Sequence, residues 1–427
     1  MTGVENMLTE PTLERGRLLY SQGRYHQALT AFRNVLTVDP GNPEAMLMLA
    51  YTLIQLEQPA EALDVANDLL RQWPDQAVVL DLKARAYLGL KQPKEALRSA
   101  QEAIHLDPSD ADYWGTASLI HYQEKDFSDA LHHAEQGLQL DPSQEVCLNI
   151  RNLCLAKLGR SDELPVSIEE TLAEDPGSAF SHASAGWALL EKGDHRKARE
   201  HFAEALRLEP GMTWAEAGML EALKAKNPLF RIFLKYYFWM ANLKGQQQWA
   251  VIIGSFVGIR FLNSLDSSVL AIELAQVAVM LFVWLTWFAD PLFNVLMLAD
   301  AQGRHLLSDR KRAMYRYVAV LLPLSFVAAL TGYLAESMNS FGMATLFLGG
   351  LMGLGLVLPL SAWIEADIYK NRSRLRLMLF IMSLTAVVAL VLLIGGKGEG
   401  MILFNLFTVE LILFMFFRNF LLIEKND

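Results

Sequence analysis

The sequence predicts an all-α protein in two parts: a solenoid of six helical hairpins closed by a capping helix, then a polytopic helical membrane domain of about six spans. Three observations carry that expectation. Proline recurs every 34 residues through the first half, apolar runs of membrane-crossing length fill the second, and charge is unequally divided between them. Of 37 Lys/Arg and 47 Asp/Glu, 18 basic and 14 acidic residues lie from 213 onward, so residues 1–212 are net −14 and the remainder net +4. An acidic first half disfavours nucleic acid, whose phosphates need Lys and Arg, and suits a neutral or basic peptide.

The repeat is read from position. Pro40, Pro74, Pro108, Pro142, Pro176 and Pro210 define the period, and twelve residues before each stands Ala28, Ala62, Ala96, Ala130, Leu164 or Ala198. Twelve earlier again come Gly16, Ala50, Ala84, Ser118, Asn152 and Gly186, with Phe32 and Phe202 at a large position between. Small residues allow two helices to approach, and proline stops the second helix because it cannot extend the hydrogen-bond ladder. One hairpin cannot bury its apolar face, whereas six stacked hairpins form a continuous core. The stretch TWAEAGMLEALKAK after Pro210 supplies Trp214, Met219, Leu220 and Leu223 as a capping helix.

On these residues, together with Trp114 at the first large position, the segment 9–212 resembles the tetratricopeptide-repeat family. Its fifth repeat departs from the pattern at Arg151, Asn152 and Leu164, which puts the packing of that hairpin in question. The resemblance implies a concave groove, lined by the first helix of each repeat, that holds a segment of another protein. Carried onto this chain, the groove positions are Arg17, Tyr20, Tyr51, Ile54, Asp81, Arg85, Leu119, Tyr122, Asn149, Leu153, Trp187 and Leu190. Tyr, Trp and Arg dominate binding hot spots, although some of these side chains are also placed to pack between repeats. The Lys/Asn pattern of the subgroup that grips chaperone C-termini is missing here, so a chaperone tail is not the expected ligand.

The expected domains are 1–226 for the repeats and cap, 227–246 for an interfacial amphipathic helix, and 247–427 for the membrane domain. Apolar runs at 247–265, 269–289, 314–335, 341–364, 375–395 and 401–421 each approach the ~20 residues that cross a bilayer core. A count of five is the alternative, because the first run contains Gly254, Gly258 and Arg260. Lys and Arg gather before the first run, between the second and third, and between the fourth and fifth. By the positive-inside rule, both termini and the repeats then face the cytoplasm. The opening MTGVENMLTE has no basic cluster and no apolar run, so no signal peptide is expected. The order of parts resembles bacterial polytopic membrane proteins, which implies the bacterial inner membrane and no mechanism.

NPLF at 227–230 and DPLF at 290–293 each read as an N-cap, a first-turn proline and an apolar pair, that is, as two helix starts. In the first, helical spacing puts Leu229, Phe233, Tyr236, Met240 and Leu243 on one side, away from Arg231 and Lys235. That pattern suits a helix lying among lipid headgroups.

Intramembrane charges are expensive and are therefore suspects. Glu273 sits near the outer face with Arg260 available to pair with it, and Asp290, Glu365 and Asp367 sit at the inner face. Glu410 is central in the last run, where it bonds to a neighbouring helix, is protonated, or lines a wet path. Gly349 and Gly353 have the spacing of a helix contact. No nucleophile elbow, zinc-protease motif or phosphate loop is found, so no catalytic residue, metal or cofactor is expected. His305 reads as a loop residue, and Cys147 and Cys154 read as buried thiols. The favoured reading is a membrane-anchored interaction scaffold. A transporter or intramembrane enzyme regulated by the repeats is the alternative.

Overall fold

The computed structural model describes residues 2–264, 270–299, 307–334, 341–366 and 372–421. The chain divides into two compact units, Met1–Ala222 with Lys235–Trp249, and Leu223–Leu234 with Ala250–Asp427.

The first unit is six helix pairs: α1 Thr2–Ser21 with α2 Tyr25–Val38, α3 Pro43–Gln55 with α4 Pro59–Gln72, α5 Ala77–Gly89 with α6 Pro93–Leu106, α7 Ala111–Gln123 with α8 Phe127–Leu140, α9 Glu145–Lys157 with α10 Leu164–Glu174, and α11 Ala179–Lys192 with α12 His195–Leu208. The cap, α13, spans Thr213–Lys224. Each second helix ends two residues before its proline. The residue between is driven out of the helical region, as at Asp39 (φ −128°, ψ 83°) and Asp107 (φ −139°, ψ 90°), because a following proline ring clashes with helical geometry. The turn inside each hairpin takes a left-handed residue at one repeat position: Gly23, Glu57, Lys91, Lys125, Gly159 and Gly193.

Packing follows the small positions. Ala28, Ala62, Ala96, Ala130, Leu164 and Ala198 are all fully buried. Where the first helix offers glycine the second offers phenylalanine: a Cβ on Gly16 would lie 2.5 Å from Phe32, and one on Gly186 would lie 2.7 Å from Phe202. Gly218 of α13 receives Phe202 from the other side. The fifth hairpin, doubtful from its sequence, is joined by a buried polar chain instead. Asn152 donates to Thr171 Oγ1 (2.8 Å) and accepts from Ser167 Oγ (2.6 Å), while Arg151 pairs with Glu170 at 2.7 Å. Cys147 and Cys154 are free and buried, and burial pushes both thiols up to about 12.

The helices that follow are α14 Pro228–Asn242, α15 Gly245–Ser264, α16 Leu270–Met297, α17 Asp309–Leu334, α18 Phe341–Glu365, α19 Arg372–Ile394 and α20 Glu399–Leu421. The boundary between units falls inside α14, after Leu234. Among the described residues, three segments have the length and hydropathy to cross a membrane: Asp309–Tyr333, Gly342–Glu365 and Arg372–Ile394. This corrects the expected six to the third, fourth and fifth. In α15, Gln246, Gln247, Gln248 and Arg260 dilute the apolar run, and the side chains of parts of the second and sixth runs lie outside the described residues.

Within this second unit α17 and α18 run antiparallel in close contact. A Cβ on Gly350 would meet the Ala329 backbone N at 2.3 Å, and one on Gly332 the Phe347 backbone N at 2.4 Å. Gly353 meets Ser325 in the same seam, whereas Gly349 faces Leu390 of α19, so the expected pair serves two different contacts. DPLF is also corrected as a helix start. α16 continues through Asp290 and Pro291 to Met297. A proline inside an apolar helix removes one backbone donor, a loss that neighbouring helices compensate in such surroundings.

Candidate functional site

The predicted groove residues sit on α1, α3, α5, α7, α9 and α11, and the structure gives them unequal surroundings. Arg17 is ion-paired to Glu14 and to Glu44 of the next repeat. Tyr20 is partly exposed, meets Tyr25 edge-on at 5.4 Å between ring centroids, and is accompanied by Gln55. Tyr51, also partly exposed, stands beside Asp81 and Arg85. Asp81 is 1% exposed, and its Oδ2 accepts from Arg85 Nε at 2.7 Å. Burial pushes the Asp81 carboxyl up, with Arg85 pulling it back. Burial likewise pushes the Tyr20, Tyr51 and Tyr122 phenols above their ordinary range, so each stays a neutral donor and acceptor near pH 7.

Further along, the assignments shift toward packing. Asn149 is fully buried, and its Nδ2 donates to Glu145 O (2.9 Å) and Ser181 Oγ (3.2 Å). Leu153 and Leu190 are buried in the core. Trp187 lies 5.6 Å from Phe202 and stacks at 6.3 Å on Trp214 of the cap, whose carbonyl accepts its Nε1. Tyr122 meets Phe127 at 5.7 Å. A pair absent from the sequence reading lies nearby: Lys157 Nζ and Glu191 Oε2 are 2.7 Å apart, with side chains only 14% and 11% exposed. They occupy the same position in adjacent repeats, and opposite charges at that spacing are the signal that identifies them.

α14 carries two apolar faces. Phe230, Leu234 and Phe238 are buried, at helical spacing. Leu229, Ile232 and Trp239 are at least half exposed, Arg231 and Lys235 are exposed, and Phe233 and Tyr236 are intermediate. Asn227 Oδ1 caps the helix through Leu229 N at 2.9 Å. In the second unit the two tetrapeptides meet, with the Phe230 and Phe293 rings 4.5 Å apart and T-shaped.

The residue after DPLF, Asn294, opens a polar cluster not anticipated from sequence. Its Nδ2 donates to Tyr315 Oη at 2.9 Å, Tyr315 donates to Glu365 Oε1 at 2.5 Å, and Lys311 Nζ reaches Glu365 Oε2 at 2.9 Å. The cluster ties α16, α17 and α18 together at one end. Glu410 Oε1 accepts from Thr385 Oγ1 at 3.1 Å, a bond between α19 and α20. Arg260 is exposed. The side chains of Glu273 and Asp290, and His305 and Asp367 entirely, lie outside the described residues.

Tetratricopeptide-repeat family models match residues 19–86, 82–145 and 179–212, leaving out the divergent fifth hairpin. Among solved structures, the chain is similar to the APC/C hetero-tetramer Cut9–Hcn1 (17% identity, 50% of this chain and 43% of that one, TM-score 0.45). It is also similar to a tetratricopeptide repeat protein from Parabacteroides merdae (14%, 54% and 91%, 0.40) and to Pseudomonas aeruginosa PilF (20%, 50% and 97%, 0.39). A comparison with curated proteins finds no match. By its 34-residue register, its paired helices and the family models, the segment 19–212 is made of tetratricopeptide repeats.

Proposed function

We propose that this chain is a membrane-anchored adaptor whose repeat groove holds a neutral or basic segment of a partner protein. Tetratricopeptide repeats are a protein-interaction module, and the groove is their binding surface. The observation that carries the reading is the pair Tyr20 and Tyr51, partly exposed on consecutive first helices, beside arginines already ion-paired to Glu44 and Asp81. Aromatic rings with a polar tip supply contact area at low entropic cost, and the compensated arginines impose no demand for an acidic partner.

The anchor in this reading is a multi-pass helical domain in a bacterial inner membrane, with the repeats and both termini cytoplasmic. Support comes from the three long apolar helices and the Lys/Arg-rich loops. Leu229, Ile232 and Trp239, exposed on α14 beside Arg231 and Lys235, fit a helix that rests among headgroups. The Thr385–Glu410 bond supports a helix-joining role for Glu410.

Crosslinking the intact protein in its native membrane, followed by mass spectrometry, tests the groove. A recurrent partner peptide on α1 and α3 is expected, and Tyr20→Ala with Tyr51→Ala should remove it. Recovery of the same peptide by the double variant would overturn the reading. Digestion of the repeats by protease added outside intact cells would overturn the orientation.

A further inference from the structure

The ends of α7, α9 and α11 form an edge of charged and aromatic side chains, and part of the chain's own sequence already lies on it. Lys125 Nζ donates to Leu243 O at 2.6 Å, one residue past the end of α14. Asn242 Nδ2 donates to Glu191 Oε1 at 2.8 Å, on the carboxylate whose other oxygen takes Lys157. The Lys157 ammonium lies 5.6 Å from the Phe238 ring and 5.9 Å from the Phe127 ring, so one cation faces an aromatic from the edge and one from the incoming segment. Lys244 pairs with Asp126 at the rim. Each contact reads a separate chemical feature: a terminal carbonyl, an amide, a ring and an ammonium.

We propose that this edge of repeats four to six is a docking site for a helix C-terminus of the form Phe-x-x-x-Asn-x-Lys, and that residues 238–244 occupy it in cis. The proposal extends the groove reading to the far end of the solenoid and rests on it. A partner that reads Tyr122, whose ring touches Phe127, must displace the resident segment, while Tyr20 and Tyr51 lie three and two repeats away.

Two features make the resident segment exchangeable. Asn242 Oδ1 is buried without a hydrogen-bond partner among the described residues, so the fit is incomplete. The rim pair is open to water, with Lys244 53% and Asp126 38% exposed, where an ion pair contributes little.

The test uses the full chain in lipid nanodiscs and a fluorescein-labelled synthetic peptide of residues 235–249. Phe238→Ala with Asn242→Ala empties the dock, and this variant should bind the peptide at least about tenfold more tightly than wild type, whose own segment competes at an effective concentration of about 1 mM. Adding Lys157→Met should abolish the gain. Adding Tyr20→Ala and Tyr51→Ala should leave it intact, which separates failure of the dock from failure of the groove. Equal binding by variant and wild type, or no saturable binding by the variant up to about 1 mM, overturns the proposal. Zero-length carbodiimide coupling in wild type gives a check free of folding effects. A Lys244–Asp126 amide is expected and excess free peptide should suppress it; absence of the amide, or its indifference to peptide, also overturns the proposal.

Discussion

Replacing Arg85 by Met should destabilise the third repeat in a pH-dependent way, because the charge it compensates cannot reach water. Asp81 is 1% exposed, whereas the Arg85 side chain is 31% exposed. Removing one partner of a buried ion pair costs about 3–5 kcal/mol. The partial exposure of Arg85 favours the lower end, about 3 kcal/mol, or roughly a hundredfold increase in local opening. The sign with pH follows from the carboxyl. Burial already holds its folded pKa above the ordinary 3.8, and Arg85 pulls it down. A carboxyl with a raised folded pKa binds its proton more tightly in the native state, so the stability it lends is fullest below its unfolded pKa and is lost as pH climbs through the folded value. Without Arg85 that folded value rises further. The deficit of the variant should therefore be small near pH 4 and widen toward neutrality. Hydrogen exchange of α5, α6 and α7 in the full chain measures it between pH 5 and 8, with rates corrected for intrinsic pH dependence. Asp81→Leu combined with Arg85→Met should recover most of the loss, since no charge is left buried. A deficit below about 1 kcal/mol at pH 7, an equal deficit at pH 5 and pH 8, or a double variant no better than the single one would refute the argument.

Further outcomes follow from packing and turn geometry. Lys91 holds φ 58° where Gly193 holds φ 98°, so Lys91→Gly should gain up to about 1 kcal/mol and Gly193→Ala should lose about as much, read by thermal unfolding. Asn152→Ala strands the Ser167 hydroxyl inside the fifth hairpin and removes the donor to Thr171 Oγ1, which keeps its own bond to Ser167 O; it should cost about 2 kcal/mol, seen as faster exchange in α9 and α10. Gly350→Ile drives a side chain into the Ala329 backbone, which no rotamer relieves, whereas Gly254→Ile meets open space; only the first should lower the unfolding temperature in detergent. Cys147 and Cys154, with thiols pushed up to about 12, should resist iodoacetamide at pH 8 until the repeats unfold.

Periodicity made the repeat half legible because every contact that recurs at 34 residues leaves a recurring residue. The alanines of the second helices and the Gly16–Phe32 and Gly186–Phe202 pairs are visible from spacing alone. Contacts that occur once leave no such trace. Asn294, Tyr315 and Glu365 come together across separations of 21 and 50 residues, and Lys125 meets Leu243 across 118. DPLF misled for a related reason. Asn or Asp followed by proline marks a helix start only where nothing else supports the chain through the proline, and in α16 the helix persists.

The sharper limit lies within the repeats themselves. Arg17, Tyr51, Arg85, Leu119, Leu153 and Trp187 occupy one repeat position, so register assigns all six to the same face of successive first helices. For Arg17, Tyr51 and Trp187 the work is set by the neighbour one repeat further on. Glu44 engages Arg17, Asp81 stands beside Tyr51, and the cap brings Trp214 onto Trp187. Arg85 finds its partner one helical turn back on its own helix, at Asp81. A repeat position is therefore an address, and the side chain there is available to a partner only to the extent that the adjoining hairpin does not claim it. Tyr20 and Tyr51 retain exposed surface under that rule, whereas Trp187 is committed to the joint with the cap, so the surface left to a partner lies on α1 and α3.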